Sequence, residues 1–267
     1  MKTGYFINSS LPGSERGAAA VLEQLGRHNV ELYDVALGLQ PGTDMLLSFG
    51  GDGTFLSAAR TCVQQGVPIL GINCGRMGFL ADSRPECVVE SILSGAYTVE
   101  ECDILEVRCE SLPSAFWPYA INEVAFNRNG AKMIGIDVRL DGFALPTYWA
   151  DGLLVSTSAG STAYSLSAGG PICAPSLRAF LIVPVAPHNL NVRPLVVSSG
   201  SVIELEPHDS SCEVLFSVDN QSVVLKKGAG VKLCVAPFRM RRVRLADRAF
   251  FGALQEKLFW GQDIRNK

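Results

Sequence analysis

One junction constrains this chain more than any other. Residues 45–49 form an apolar run of the kind found in parallel strands buried on both faces, and the run stops at Gly50-Gly51-Asp52-Gly53. Residues 54–65 then place Phe55, Leu56, Ala59 and Val63 on one helical face. A strand buried on both faces needs helices above and below it, so the junction predicts a helix-covered parallel sheet. Flanking segments repeat the pattern. Residues 5–8 read as a strand and 14–27 as a helix with Ser14 as N-cap. Residues 67–72 read as a strand that runs into Asn73-Cys74-Gly75-Arg76-Met77-Gly78, and 85–93 as a helix with Gly95 just past its end.

After about residue 100 the period changes. Strands are predicted over 104–110, 119–126, 134–140, 181–185, 194–197, 202–206, 213–218 and 222–225, with a hairpin turn at Asp141-Gly142 and a return over 145–148. A short helix fits 163–167, and 247–260 carries Phe250, Leu254 and Leu258 at helical spacing. The expected organisation is an α/β, Rossmann-like N-terminal domain over 1–100 and a mostly β domain over 101–245. The final helix is expected to pack back on the first domain, so that 246–267 belongs with it.

Composition narrows the function. The 267 residues include 23 basic and 26 acidic side chains, a formal charge of −3. That balance excludes a nucleic-acid binder held by bulk electrostatics. Apolar stretches such as 180–183 are far too short to span a membrane. Eight cysteines lack any C-x-x-C spacing, and only three histidines accompany them. The spacing argues against a structural zinc site, which needs clustered ligands. Residues 1–8 read as strand rather than as an apolar leader, so the thiols point to a reducing, cytoplasmic compartment. Glycine is in excess, 26 residues, and it concentrates in three stretches.

In the first, residues 48–56, glycines at a strand-to-helix junction let backbone N–H groups converge on an anion, helped by the helix N-terminus. There is no Gly-Lys-Ser/Thr, so this is not a Walker A loop. Asp52 within it reads as a proton acceptor for an attacking hydroxyl, as a holder of a divalent metal, or simply as a helix-capping turn residue. The second stretch, 71–80, again lies at the carboxyl end of a predicted strand, where open α/β sheets bind ligands. In the third, 150–171, a strand leads into small hydroxyl residues and Tyr164, a surface suited to a base and a sugar. A serine hydrolase is excluded there, because neither Gly-x-Ser-x-Gly nor Ser-x-x-Lys is present.

Four features in this order resemble the NAD kinase family: Gly-Gly-Asp-Gly-Thr at 50–54, Gly-x-x-Gly-Phe-Leu at 75–80, Asn122-Glu123, and the block 151–171. The resemblance implies ATP-dependent phosphorylation of the adenosine ribose 2′-hydroxyl of NAD. Asp52 would be the proton acceptor, Gly50, Gly51, Gly53 and Thr54 would line the phosphate path, and Mg²⁺ would neutralise the triphosphate. Asn122 and Glu123 would grip ribose hydroxyls. Asp151, Thr162, Ala163, Tyr164, Ser165, Leu166 and Ser167 would contact the dinucleotide together with Asp52, Gly53 and Phe79. Lys132 and Gln221 match positions near NAD, and His188 matches a recurrent position without an assigned role. Gln221 follows Asp219-Asn220, where many members have Asp-Gly, and Asn220 is expected to take up the left-handed turn. The resemblance also implies a homodimer or homotetramer. Two other classes share part of this pattern: a diacylglycerol-type lipid kinase with the same first loop, and a dinucleotide sensor without turnover. Arg239, Arg241, Arg242 and Arg244 alternate along a strand and read as a solvated or subunit-facing edge.

Overall fold

The structure is a computed structural model that describes residues 1–9, 13–75, 78–208, 213–225, 228–245 and 250–260. Along the chain come β1 (Lys2–Ile7), α1 (Ser14–Arg27), β2 (Glu31–Asp34), β3 (Met45–Gly50), α2 (Asp52–Cys62), β4 (Ile69–Asn73), α3 (Pro85–Ser94) and β5 (Tyr97–Cys102). A long β-rich stretch follows. It holds β6 (Leu105–Arg108), β7 (Tyr119–Ala120), β8 (Glu123–Arg128), β9 (Ile134–Leu140), β10 (Phe143–Ala144), β11 (Tyr148–Ala150) and β12 (Gly152–Thr157). After the one-turn helix α4 (Tyr164–Ser167) come β13 (Ala179–Val185), β14 (Leu195–Ser198), β15 (Ile203–Pro207), β16 (Val214–Val218), β17 (Gln221–Val224) and β18 (Val231–Val235). The chain closes with β19 (Met240–Leu245) and α5 (Phe250–Leu258).

Contacts divide the chain into two compact units, Met1–Glu101 with Met240–Lys267, and Cys102–Arg239. The first unit is built on a six-stranded sheet in the order β2-β1-β3-β4-β19-β5. The pairs β1–β2, β1–β3, β3–β4 and β4–β19 are parallel, as the alternating strand–helix pattern predicts. Ala18, Val21 and Leu25 of α1 pack with Val88 and Ile92 of α3 on the strand residues Met45, Leu47, Phe49, Leu70 and Ile72. All six residues of β3 are buried, which explains its unbroken apolar reading. The final helix lies in this same unit, held by Phe250 and Leu254. The start of the helix expected over 247–260 lies outside the described residues. The cap of α1 is also shifted: the N-cap is Gly13, in a left-handed conformation, and Ser14 is buried inside the helix.

β19 corrects the reading of the arginine run. It lies between β4 and β5 rather than at a free edge, and Arg242 is only 1% exposed. Its guanidinium sits 2.7 Å from the Asp82 carboxylate, and Arg244 reaches Glu100 at 3.5 Å. Alternating charge marks a solvated edge only when no carboxylate is brought in to neutralise it.

The second unit has two antiparallel sheets. One runs β10-β9-β15-β18-β6-β7 with β11 also on β9, the other β14-β13-β12-β8-β16-β17. Side chains from both sheets, among them Phe126, Phe180, Phe216, Ile136, Leu205 and Leu233, share one core. Asp141 and Gly142 both have positive φ, 50° and 82°, at the expected turn between β9 and β10. The strand expected over 119–126 is broken. β7 and β8 belong to different sheets, and the chain passes from one to the other at Ile121-Asn122.

Candidate active site

In the first unit the sheet puts Gly50-Gly51-Asp52-Gly53 at the carboxyl end of β3, with Asp52 opening α2. The Asp52 carboxylate is gripped by three consecutive backbone N–H groups. Phe79 donates to Oδ2 at 2.8 Å, while Leu80 and Ala81 donate to Oδ1 at 3.0 and 2.8 Å. The turn that supplies them wraps so closely that a Cβ at Gly78 would lie 1.8 Å from Asp52 Oδ1. Glycine is required there by space alone. Asn73, at the end of β4, braces the same turn: its Oδ1 accepts from the Gly75 N–H at 2.7 Å and its Nδ2 donates to the Ala81 carbonyl at 3.1 Å. Thr54 is turned inward, 4% exposed, and its hydroxyl accepts from Asn8 Nδ2 at 3.2 Å. What the glycine loop offers an anion is therefore main-chain N–H.

In the second unit a second aspartate does the same thing. Asp219 has φ 50°, and its carboxylate accepts from the N–H groups of Ile121, Asn122 and Glu123 at 2.9, 2.8 and 3.2 Å. Its own N–H donates to the Glu123 carbonyl at 2.9 Å. These bonds take the place of a neighbouring strand where β7 gives way to β8, and they fix the two residues that the sequence singled out. Gly160 closes against the same point, since a Cβ on it would lie 2.1 Å from the Asn122 carbonyl oxygen. Thr157 ties the two together: its hydroxyl donates to the Ile121 carbonyl at 2.6 Å and accepts from the Gly160 N–H at 3.0 Å.

Among the described residues of this unit, three buried side-chain polar atoms have no partner: Asn122 Oδ1, Glu123 Oε2 and Ser165 Oγ. Unmatched buried acceptors and hydroxyls are costly unless a ligand completes them. Burial pushes the Glu123 carboxyl up to about 8, the Asp219 charge adds to the rise, and the Tyr164 N–H opposes it. Burial and the Asp219 charge therefore favour the protonated form of Glu123, which has an O–H to donate.

A stability effect follows from that shift. The unfolded chain gives up this proton near 4.5 and the folded one near 8. The unfolded state then binds fewer protons over that window, so stability from this site is complete below about 4.5 and is lost as pH rises through about 8. Glu123→Gln should match the wild type in melting temperature near pH 5 and exceed it near pH 9, by an amount worth roughly a few kcal/mol. A wild type and variant with parallel melting profiles would contradict this assignment.

The remaining candidates fall into place individually. Asp151, between β11 and β12, pairs with Arg128 at 2.8 Å. Thr162, Ala163, Leu166 and Ser167 follow β12 through a short 3-10 turn and α4, and the Tyr164 hydroxyl donates to Asn127 Oδ1 at 3.4 Å. Phe79 is half-buried in the turn around Asp52. Gln221 spends its amide elsewhere: Oε1 accepts from the Trp117 N–H at 3.3 Å and Nε2 donates to the Trp117 carbonyl at 3.2 Å. Lys132 is exposed between β8 and β9, and exposed His188 donates its backbone N–H to the Trp149 carbonyl. The left-handed residue of the 219–221 turn is Asp219, not Asn220. Sequence reading missed Asn8 and the hub role of Asp219, because each acts through a residue remote in the chain. It also missed the bracing role of Asn73, whose bonds to Gly75 and Ala81 follow no motif spacing. Among the described residues, no group of three His, Cys, Asp or Glu side chains is gathered as a metal site.

A family model of the ATP-NAD kinase N-terminal domain matches residues 22–97, and one of the ATP-NAD kinase C-terminal domain matches 121–245. An NAD kinase of Bacteroides fragilis is 43% identical over 289 residues, covering 99% of this chain and 100% of that protein. An NAD kinase of Flavobacterium psychrophilum is 37% identical, with 94% and 88% covered. Among solved structures, yeast NADH kinase complexed with NADH aligns with a TM-score of 0.88 at 23% identity, covering 100% of this chain and 90% of that one. An NAD kinase from Archaeoglobus fulgidus in complex with ATP aligns with a TM-score of 0.74 at 27% identity, covering 97% and 99%. The matches to both domain models and to full-length relatives define the chain as a phosphotransferase. More narrowly, the chain belongs to the NAD kinase family.

Proposed function

We propose that this protein is an NAD kinase that moves the γ-phosphoryl group of ATP onto the 2′-hydroxyl of the adenosine ribose of NAD, giving NADP, with Asp52 as proton acceptor. The grip on Asp52 carries this reading. A carboxylate has about four lone-pair sites. Two on Oδ1 and one on Oδ2 are taken by backbone N–H groups, which leaves Oδ2 one site for a single hydroxyl. Phosphoryl transfer asks for position and charge neutralisation rather than covalent chemistry, and a carboxylate that cannot rotate supplies position.

Main-chain N–H groups of Gly50, Gly51, Gly53 and Thr54 are assigned to the phosphates. The unpartnered atoms of Asn122 and Glu123 suit a ribose diol: the amide oxygen accepts, and the protonated carboxyl donates and accepts. Asp151, the 162–167 segment and Phe79 are assigned to the bases and sugars of the dinucleotide. Gln221 is left out, its amide being committed to Trp117. The described carboxylates do not form a cage for a resident cation, so Mg²⁺ is taken to enter as the Mg–ATP substrate, held by phosphates and water. The setting is proposed to be cytoplasmic, in keeping with scattered cysteines that lack any C-x-x-C spacing, and the assembly a homodimer or homotetramer.

NADP formation by the purified protein with a panel of triphosphates and polyphosphate, each with and without Mg²⁺, tests the reading. NADP is expected with ATP and Mg²⁺. NAD binding by calorimetry with no NADP from any donor would favour the sensor class instead. Asp219→Ala in the same assay leaves the three N–H groups of 121–123 without their acceptor. It should raise KM for NAD by on the order of tenfold or more while leaving KM for ATP within about twofold. Unchanged KM for NAD would remove Asn122 and Glu123 from the NAD site.

A further inference from the structure

Phosphoryl transfer gathers negative charge, yet the loop at 50–54 contains no lysine. A lysine reaches the Asp52 turn from the far end of the chain. Lys257, on α5, donates through Nζ to the Gly78 carbonyl, and the same ammonium lies 4.3 Å over the Phe79 ring. Gly78 and Phe79 begin the segment whose N–H groups hold Asp52. The turn is thus held from two sides, by a carboxylate that collects its donors and by an ammonium that takes its first carbonyl and stacks on its aromatic ring. α5 is itself anchored beside the turn by Glu256, 3.3 Å from Arg84, and by the buried side chains of Phe250 and Leu254.

The geometry points to Lys257 as a positioning residue for the transfer reaction: by clamping residues 78–79 it fixes the turn that aims the open Oδ2 site of Asp52 at the acceptor hydroxyl. The clamp suits an ammonium in particular. A carbonyl and an aromatic face both attract a cation, and an apolar side chain of equal length gives the carbonyl no donor. The charged groups facing Lys257 are Asp82 and Asp52, which favour its protonated form, Arg242 on β19, which opposes it, and Glu256 on its own helix, which favours it. Burial draws its pKa below that of a free lysine. This inference rests on the proton-acceptor role assigned to Asp52.

Lys257→Met and Lys257→Arg in the full chain test it, with kcat, KM for NAD and melting temperature measured for each. Lys257→Met should lose on the order of 10- to 100-fold in kcat, the size expected when a reacting group is displaced by about an ångström. KM for NAD should stay within about twofold. Lys257→Arg, which keeps a cation over Phe79, should recover most of the loss. Turnover by Lys257→Met within about twofold of wild type would overturn the clamp. So would equal losses in both variants accompanied by equal falls in melting temperature, since that pattern marks helix docking alone. The wild-type control separates the two levels: an active wild type with an unaffected Lys257→Met overturns the clamp alone, and an inactive wild type overturns the kinase reading as well.

Discussion

Asp52→Asn should leave a folded protein that binds NAD and makes essentially no NADP. The substitution is nearly isosteric, and the amide oxygen can still accept N–H bonds from the turn that now holds the carboxylate at 2.8–3.0 Å. What it loses is the ability to take a proton from a hydroxyl. General-base catalysis contributes roughly 10² to 10⁴-fold, so kcat should drop by at least about that lower bound, with the NAD dissociation constant little changed. Because Asn has an NH₂ group in place of one oxygen, one N–H of the turn will face a donor, and a small loss of stability is expected with it. Turnover by Asp52→Asn at the wild-type rate would end the role assigned to Asp52.

The second large effect is on stability. Asp82→Ala removes the carboxylate 2.7 Å from Arg242, and Arg242 is 1% exposed on a strand flanked by β4 and β5. Breaking a buried pair from one side costs about 3–5 kcal/mol, because the remaining charge has neither water nor a counterion. For a chain of this size that corresponds to a fall in melting temperature of roughly 10 °C. Replacing both partners, Asp82→Ala with Arg242→Met, should restore much of the loss, since no charge is then left buried. A single variant that melts within about 2 °C of the wild type would show that Arg242 finds other compensation.

These two predictions mark what was and was not legible in the sequence. The apolar run before Gly50 announces a strand buried on both faces, and β3 is buried throughout. Local periodicity likewise exposes α1, α2 and α3, because each packs one face on the sheet. Legibility fails where a residue's environment comes from far along the chain. The alternation at Arg239, Arg241, Arg242 and Arg244 looks solvated until β19 is inserted next to β4 and Asp82 is brought in from 160 positions earlier. β5, with the sequence Tyr-Thr-Val-Glu-Glu-Cys, carries no apolar run, since most of it is exposed or half-exposed.

The site divides along the same line. Asp52, Asn122 and Glu123 are visible as motifs because the glycine loop and the Asn-Glu pair that carry them are contiguous in the chain. The groups that orient them are not. Asp219 binds N–H groups 96 to 98 positions away, and the turn that grips Asp52 comes 27 to 29 positions later. Gly78 reads as one more loop glycine, and only the contact its missing Cβ would make with Asp52 explains it. In both units an aspartate gathers three successive main-chain donors, a device that fixes a polar segment without a neighbouring strand and leaves no spacing pattern behind.

The most direct measurement follows the phosphoryl group itself. Purified protein is incubated with Mg²⁺, NAD and ATP labelled in the γ-phosphate, and the labelled product is resolved and its attachment point determined. The account predicts label on the 2′-position of the adenosine ribose, in NADP. Label recovered only as inorganic phosphate, or on a diacylglycerol added as a competing acceptor, would contradict it.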